Sequence, residues 1–216
     1  MSGDIVMFII RMSVLVLAIT VHEFAHAYSA DRLGDDTPRR QGRISLLPPD
    51  HLDPLGTIMM AVSSWIGFGI GWGKPVLTNP NNFRNPRRDQ GIVAIAGPAS
   101  NMLQAVVFAL IIRFAGGAMR DDVGMISTLG LFLLSGVTIN LALAFFNLLP
   151  VTPLDGSWVT SALLPYNLAA RYQMWMSRYG AIVFLLLIFV FRDFLSAVIG
   201  PPVFYLRGIL LHGVDI

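Results

Sequence analysis

The chain has 216 residues, 55% of them hydrophobic and 13% charged, and its mean hydropathy of +0.66 exceeds what a soluble domain needs for its core. Cysteine is absent, which excludes disulfides, zinc fingers and iron–sulfur clusters and restricts metal ligands to histidine and carboxylate. The net charge of +2 results from fourteen arginines and one lysine together with thirteen acidic residues. The basic residues are spread over several loops and do not form one patch, so nucleic-acid binding is not indicated. We therefore expect an α-helical polytopic membrane protein, with residues 1–216 in a single domain.

The first predicted helix, A, extends from about Ile5 to Ala30 and contains the sequence His22-Glu23-Phe24-Ala25-His26. Residues four apart lie on the same face of a helix, so both histidines can bind one metal ion while Glu23 reaches a water bound to it. Glu23 is also the only glutamate in the chain. The pattern is the HExxH arrangement of zinc hydrolases, and it predicts a zinc site inside an apolar segment.

An apolar segment, B, from Leu55 to Gly73, lies between two polar stretches, 31–54 and 74–90. Four glycines at alternate positions in its second half disfavour a continuous helix. Strand-like sequences near residues 43–47 and near Val76 predict short membrane-associated strands. Three further spanning helices are expected at 91–115 (C, interrupted by Gly97-Pro98), 124–149 (D) and 172–191 (E). The tail after helix E contains two consecutive prolines and is expected to lie along the interface or re-enter, which leaves about four spanning helices.

A catalytic zinc usually has three protein ligands and an open position for water, so a further ligand is needed. A second glutamate does not exist, and the extended HExxHxxGxxH pattern fails because Ser29 and Arg32 stand where glycine and histidine are required. An aspartate or a histidine remains. The best candidate is Asp155, which follows Pro150 and Pro153 beyond the end of helix D, although an aspartate before glycine is also common in surface turns.

The sequence resembles the site-2 protease family of intramembrane zinc metalloproteases, in a short form without accessory domains. The resemblance covers most of the chain. It rests on three motifs, which are the HExxH sequence at 22–26, Ala96-Gly97-Pro98 with Asn101, and the stretch from Asn147 to Asp155-Gly156.

This resemblance implies a role for each matching residue. His22, His26 and Asp155 correspond to the zinc ligands. Glu23 corresponds to the catalytic base, and Asn147 to a polar group near the scissile carbonyl. Leu47 departs from the family pattern, since similar short members often have asparagine at this position.

Three other polar residues are candidates for binding substrate. His51 can orient substrate or the zinc-bound water, or it can act in capping the loop and the helix beside it. Asn101 can border the cavity or join two helices by a hydrogen bond. Asn140 lies two turns before Asn147 on the same helical face.

The metal site constrains the path of the chain through the bilayer. If segment B crossed the membrane, helix D would end on the face opposite the histidines and leave Asp155 a bilayer away from them. If B dips in and returns, Asp155 arrives beside His22 and His26. Ten of the fifteen lysines and arginines then fall on the site's side, which is predicted to be cytoplasmic.

These observations predict a multi-pass protein of the cell membrane that hydrolyses peptide bonds in or near the transmembrane segments of membrane-protein substrates, with Zn2+ as cofactor. A metal-ion transporter is an alternative, because intramembrane histidine and aspartate also mark ion pathways. A catalytically inactive membrane chaperone with the same fold is another. The intact Glu23 and the scarcity of further acidic residues in the helices favour the protease.

Overall fold

The computed structural model describes residues 2–66, 71–115, 119–120 and 126–214, and in these ranges the chain is mainly helical. The helices in these ranges are α1 (Ser2–Arg32), α2 (Thr37–Arg40), α3 (Pro48–His51), α4 (Pro54–Ile66), a 3-10 helix (Pro80–Asn82), α5 (Pro86–Ala115), α6 (Thr128–Asn147), α7 (Asp155–Leu163), α8 (Tyr166–Phe189) and α9 (Arg192–Leu210). Five of the described helices are long and apolar enough to cross a membrane, which is one more than expected. They are α1, α5, α6, α8 and α9.

Helix α5 is the central helix, and it packs against α1, α6 and α7. A buried apolar cluster joins α5 to α6 and includes Phe108, Ile112, Val137 and Leu141. Gly136 lets the two helices approach closely, because a Cβ there would lie 2.6 Å from the ring of Phe108. The expected break at Gly97-Pro98 does not occur, and α5 continues through the proline, whose cost is one lost backbone hydrogen bond that the packed neighbours of α5 can offset.

Segment B folds back on itself. Helix α4 departs from a point next to Leu52, and Leu52 forms an isolated antiparallel bridge with Gly73 on the returning chain. Gly71 lies against the first half of the same helix, since a Cβ there would be 2.5 Å from the Cβ of Met60 and 2.9 Å from the carbonyl oxygen of Gly56. The two ends of B therefore meet. Its tip, including the predicted glycine positions 67 and 69, lies outside the described residues.

The expected short strands do not form in the described part of the polar stretches. Residues 43–47 are irregular, and residues 71–79 are extended with only the single bridge to Leu52. Side chains hold these stretches instead of a sheet ladder. A sheet needs a ladder of successive backbone pairs, and the return of segment B supplies only one paired position.

Asp35 is the main anchor of these polar stretches and is completely buried. Its carboxylate accepts hydrogen bonds from the backbone and hydroxyl of Thr37, from the backbone of Asn79 at 2.6 Å and from the amide of Asn82 at 2.8 Å. Burial alone would raise the pKa of Asp35, but these hydrogen bonds outweigh it and lower the pKa below its usual value. The ionised carboxylate thus joins the chain after α1 to the chain before α5.

The last two long helices lead from one end of the bundle to the other. The hydroxyl of Tyr172 in α8 donates to the carbonyl of Pro150, 2.9 Å away, just beyond the end of α6. The guanidinium of Arg113, near the end of α5, donates to the carbonyl of His212, 3.0 Å away and just beyond α9. Helix α9 therefore ends at the opposite end of the bundle from the start of α8.

Candidate metal centre

The structure brings His22 and His26 of α1 together with Asp155, the first residue of α7. The Nε2 atoms of the two histidines are 3.0 Å apart, and the oxygens of Asp155 lie 3.2 Å from Nε2 of His22 and 3.3 Å from Nε2 of His26. These three residues could hold a metal ion. Tetrahedral ligands with bonds of about 2.0–2.1 Å to zinc are about 3.3 Å from one another, so the spacing fits that ion.

The tautomer of His26 is fixed by a backbone carbonyl. Nδ1 of His26 lies 2.7 Å from the carbonyl oxygen of Val93 in α5. Since a carbonyl only accepts, Nδ1 must carry the proton, and Nε2 of the neutral ring presents a lone pair.

The tautomer of His22 is fixed by a chain of amides that begins at another carbonyl. The amide nitrogen of Asn140 donates to the carbonyl of Gly136, which leaves Oδ1 of Asn140 to accept from the amide nitrogen of Asn101 at 2.9 Å. Oδ1 of Asn101 then faces Nδ1 of His22 at 2.6 Å and accepts its proton. Nε2 of His22 therefore also presents a lone pair.

Two lone pairs and a carboxylate thus point at one small volume. Among the described residues, Oδ2 of Asp155 is buried without a hydrogen-bond donor. Such an arrangement is repulsive by itself and is stabilised by a cation at its centre. The donor set of two imidazole nitrogens and one carboxylate suits zinc.

Gly97 makes room for the centre. A Cβ at this position would collide with Nε2 of His26 and would lie 2.6 Å from Cε1 of His22. The backbone of α5 can therefore approach α1 at this point only because residue 97 has no side chain.

Asp155 is held in place by the turn that connects α6 to α7. It begins α7, where the helix dipole favours a negative charge. The next residue, Gly156, packs against the backbone carbonyl of Leu148 so closely that a Cβ would overlap it. Asp155 and Gly156 therefore lie where the end of α6 closely contacts the start of α7, and not in a surface turn.

Glu23 lies beside a buried arginine that the sequence did not single out. Oε2 of Glu23 is 3.6 Å from Nη2 of Arg43, whose side chain is 3% exposed. Burial lowers the pKa of the Arg43 guanidinium, while the carboxylates of Glu23 and Asp50 oppose this effect. A single glutamate in an apolar chain indicates that a cationic side chain lies nearby. No sequence pattern indicates which of the fifteen lysines and arginines that is.

The three residues expected to bind substrate have other partners in the structure. Asn101 and Asn140 are completely buried and form a hydrogen-bonded chain that ends at His22. His51 is also completely buried, and its Nε2 lies 2.6 Å from the carbonyl of Ser45. The binding of substrate by these three residues stays a prediction.

Asn147, the last residue of α6, keeps a partly exposed side chain whose amide donates to the carbonyl of Leu143 at 3.0 Å.

The contact of the Val93 carbonyl with His26 could not be predicted from the sequence, because every residue has a main-chain carbonyl and its type gives no indication of this contact.

Comparison with known proteins shows the family to which this chain is related. The sequence profile of Peptidase family M50 matches residues 119–188. A protein of Bacillus subtilis (strain 168) with the name "Putative zinc metalloprotease YwhC" is 41% identical over 175 residues, which are 80% of this chain and 77% of that protein.

Two mycobacterial proteins with the same description and the name Rip2 are more distant. The one from Mycolicibacterium smegmatis is 28% identical over 69% of this chain, and the chain spans about half (55%) of its length. The one from Mycobacterium tuberculosis (strain H37Rv) is 26% identical over 85% of this chain and 67% of its own length. No solved structure matches.

The helical membrane fold and the clustered histidine and aspartate side chains define a membrane-embedded metallopeptidase class. The chain belongs to Peptidase family M50, the site-2 protease family. The resemblance noted from its motifs is thereby confirmed.

Proposed function

We propose that this protein is a zinc metalloendopeptidase that hydrolyses peptide bonds in or near the transmembrane segments of other membrane proteins. The observation that carries the proposal is the meeting of His22, His26 and Asp155, with both imidazoles held in the tautomer that a metal ion requires. Helices α1, α5, α6 and α7 all contribute to this centre, so we assign residues 1–216 to a single metalloprotease domain.

In this proposal His22, His26 and Asp155 hold zinc, while Asn101, Asn140 and the Val93 carbonyl orient the two imidazoles. The bound ion supplies a Lewis acid that acidifies water and polarises the scissile carbonyl. The carboxylate of Glu23 takes a proton from the attacking water and passes it to the leaving amide nitrogen, so that water and a peptide bond become a carboxylic acid and an amine. Asn147 is proposed to contact the substrate carbonyl.

We infer that the chain crosses the bilayer four times, by α1, by α5, by α6 and by α8 and α9 together. Segment B is proposed to enter from the side of the metal centre and return to it, which the bridge between Leu52 and Gly73 supports. The contact between Arg113 and His212 supports a C-terminal end on the other side.

The side of the metal centre is proposed to face the cytoplasm. The connection 33–85 lies at this end of the bundle, and together with the end of α1 and the starts of α5 and α8 it carries ten of the fifteen lysines and arginines. Cytoplasmic loops of membrane proteins carry such an excess of lysine and arginine.

A helical substrate keeps its backbone carbonyls hydrogen-bonded, so it must unwind locally before water can attack the scissile carbonyl.

The test is Glu23→Gln in purified protein reconstituted into liposomes with single-span test substrates. We expect cleavage to fall by several orders of magnitude, because the neutral amide cannot accept the proton, while zinc content stays close to one ion per chain. Asp4→Asn, at the far end of α1, is the matched control. Undiminished cleavage by Glu23→Gln would contradict the proposal, and metal transport without cleavage would favour a transporter.

A further inference from the structure

Arg43 contacts the side chain of Glu23 and the backbone of the extended segment 71–79 at the same time. Its Nη2 donates a hydrogen bond to the carbonyl of Lys74 and lies 3.6 Å from Oε2 of Glu23. The backbone nitrogen of Arg43 donates to the carbonyl of Pro38 at 2.9 Å, which ties the arginine to α2. One buried residue thus joins three separate parts of the fold.

The other oxygen of Glu23 faces the same extended segment. A Cβ at Gly73 would lie 3.1 Å from Oε1 and 3.1 Å from Cγ of Glu23, so the glycine backbone packs directly against the carboxylate. The segment is also held there by a backbone hydrogen bond, since the nitrogen of Lys74 donates to the carbonyl of His51 at 2.7 Å. Glu23 is therefore enclosed by Arg43 on one side and by residue 73 on the other.

Burying a guanidinium is costly, and here the cost is only partly offset. Nε of Arg43 is buried without a hydrogen-bond partner among the described residues. Nη2 of Arg43 makes both contacts. A lysine in its place would keep the charge, but its shorter side chain cannot bring the ammonium group to the position of Nη2 without a shift. The geometry therefore requires the reach of arginine as well as its charge.

We propose that Arg43 is a positioning residue that holds the carboxylate of Glu23 and the backbone at 73–74 in a fixed relation to each other. The inference rests on the proposed function, because its catalytic consequence requires Glu23 to be the base. In this proposal Arg43 acts on turnover through Glu23.

The first experiment measures peptidase kinetics of Arg43→Met and Arg43→Lys, with Arg39→Met as the control. Arg39 is an exposed arginine that pairs with Asp31 at 2.6 Å on the same side of the protein. We expect kcat of Arg43→Met to fall by about tenfold to a hundredfold, as misplacement of a catalytic group by about 1 Å does, with KM and zinc content changed little. Arg43→Lys should recover part of kcat, and Arg39→Met should match the parent.

The second experiment needs no turnover. Because the chain has no cysteine, a single cysteine at Lys74 or at Asn81 can carry a nitroxide spin label without background. Asn81 lies in the 3-10 helix near Asp35 and away from Arg43's contacts. We expect Arg43→Met to increase label mobility at 74 and leave it unchanged at 81.

Unchanged kcat in Arg43→Met, or equal loosening at 74 and 81, would overturn the inference. If Arg43→Met cannot be purified folded, Arg43→Lys decides, and behaviour identical to the parent overturns it. Specific loosening at 74 in a protein that cleaves nothing would support the contact and instead count against the proposed function.

Discussion

Two buried amides control the ring orientation of one proposed zinc ligand. Asn140 sets the orientation of Asn101, and Asn101 sets the tautomer of His22. Groups of this kind usually change metal affinity by about tenfold to a hundredfold when they are removed. We therefore expect replacement of the amides to change the affinity for the metal.

We predict that Asn101→Ala weakens zinc binding by about tenfold to a hundredfold, because His22 loses the acceptor for Nδ1–H. Titration of purified protein with a zinc chelator, followed by metal analysis, measures this change. Asn101→Asp should retain most of the affinity, since its carboxylate still accepts that proton. Asn81→Ala, in an exposed position, is the control. Equal chelator resistance of Asn101→Ala and the parent would exclude the orienting role.

We predict that Gly97→Ala removes zinc and activity together, because the added methyl group would occupy the space between the two imidazoles. Metal content per purified chain is the direct readout. Gly208→Ala is the matched control, since a Cβ on this helical glycine meets nothing within 4 Å. A Gly97→Ala protein that retains one tightly bound zinc would show that α5 can move away at no cost.

At the level of the elements, the polar connections depend on a buried charge rather than on a sheet. The folded-state pKa of Asp35 is lowered, so its stabilising contribution is complete above the unfolded-state pKa of about 4 and is lost as the pH falls through the lower folded-state value. The joined stretches should therefore loosen in acid.

We predict that Asp35→Asn lowers the free energy of unfolding by about 2 kcal/mol near neutral pH, because hydrogen bonds to an ionised group are lost. Thermal unfolding in detergent at several pH values measures this. The gap between the variant and the parent should begin to narrow below pH of about 4, where Asp35 of the unfolded chain becomes protonated, and it should close as the pH falls through the lower folded-state pKa. Asp36→Asn, at an exposed neighbouring acid, is the control. A gap that stays constant down to acid pH would show that the charge of Asp35 contributes nothing.

The sequence predicted the long helices and the first part of the site because both depend on local spacing. Two histidines four residues apart need only a helix, and apolar runs of this length need only a bilayer. Asp155 was reached by elimination, since the chain offers no second glutamate. Arg43 was missed because its contact with Glu23 depends on how residues 33–47 fold over α1, which no periodicity encodes.

Two predictions about secondary structure differ from the structure, and each difference has a physical reason. Pro98 was expected to interrupt helix C, but α5 continues because its neighbours compensate for one missing hydrogen bond. Strands were expected near residues 43 and 76, but the backbone nitrogen of Arg43 donates to the carbonyl of Pro38, and those of Lys74 and Asn79 donate to the carbonyl of His51 and to Asp35. Short stretches follow their tertiary partners more than their own propensities.

At the level of the whole molecule, the proposed path returns segment B to the side it entered. We predict that single cysteines at Ser45 and Asn82 react with a membrane-impermeant maleimide from the same side, and that one at Gly213 reacts from the other. The cysteine-free chain gives no background in intact or inverted vesicles. Labelling of 45 and 82 from opposite sides would require segment B to cross the bilayer.

Zinc analysis combined with X-ray absorption at the zinc edge tests the central claim most directly. The parent should bind one zinc per chain through two imidazole nitrogens and a carboxylate oxygen at about 2.0–2.2 Å. Asp155→Ala should lose the ion or replace the carboxylate in its first shell, while Asp193→Ala should match the parent. An Asp155→Ala protein with full zinc content and an unchanged first shell would contradict the convergence of His22, His26 and Asp155 on one ion.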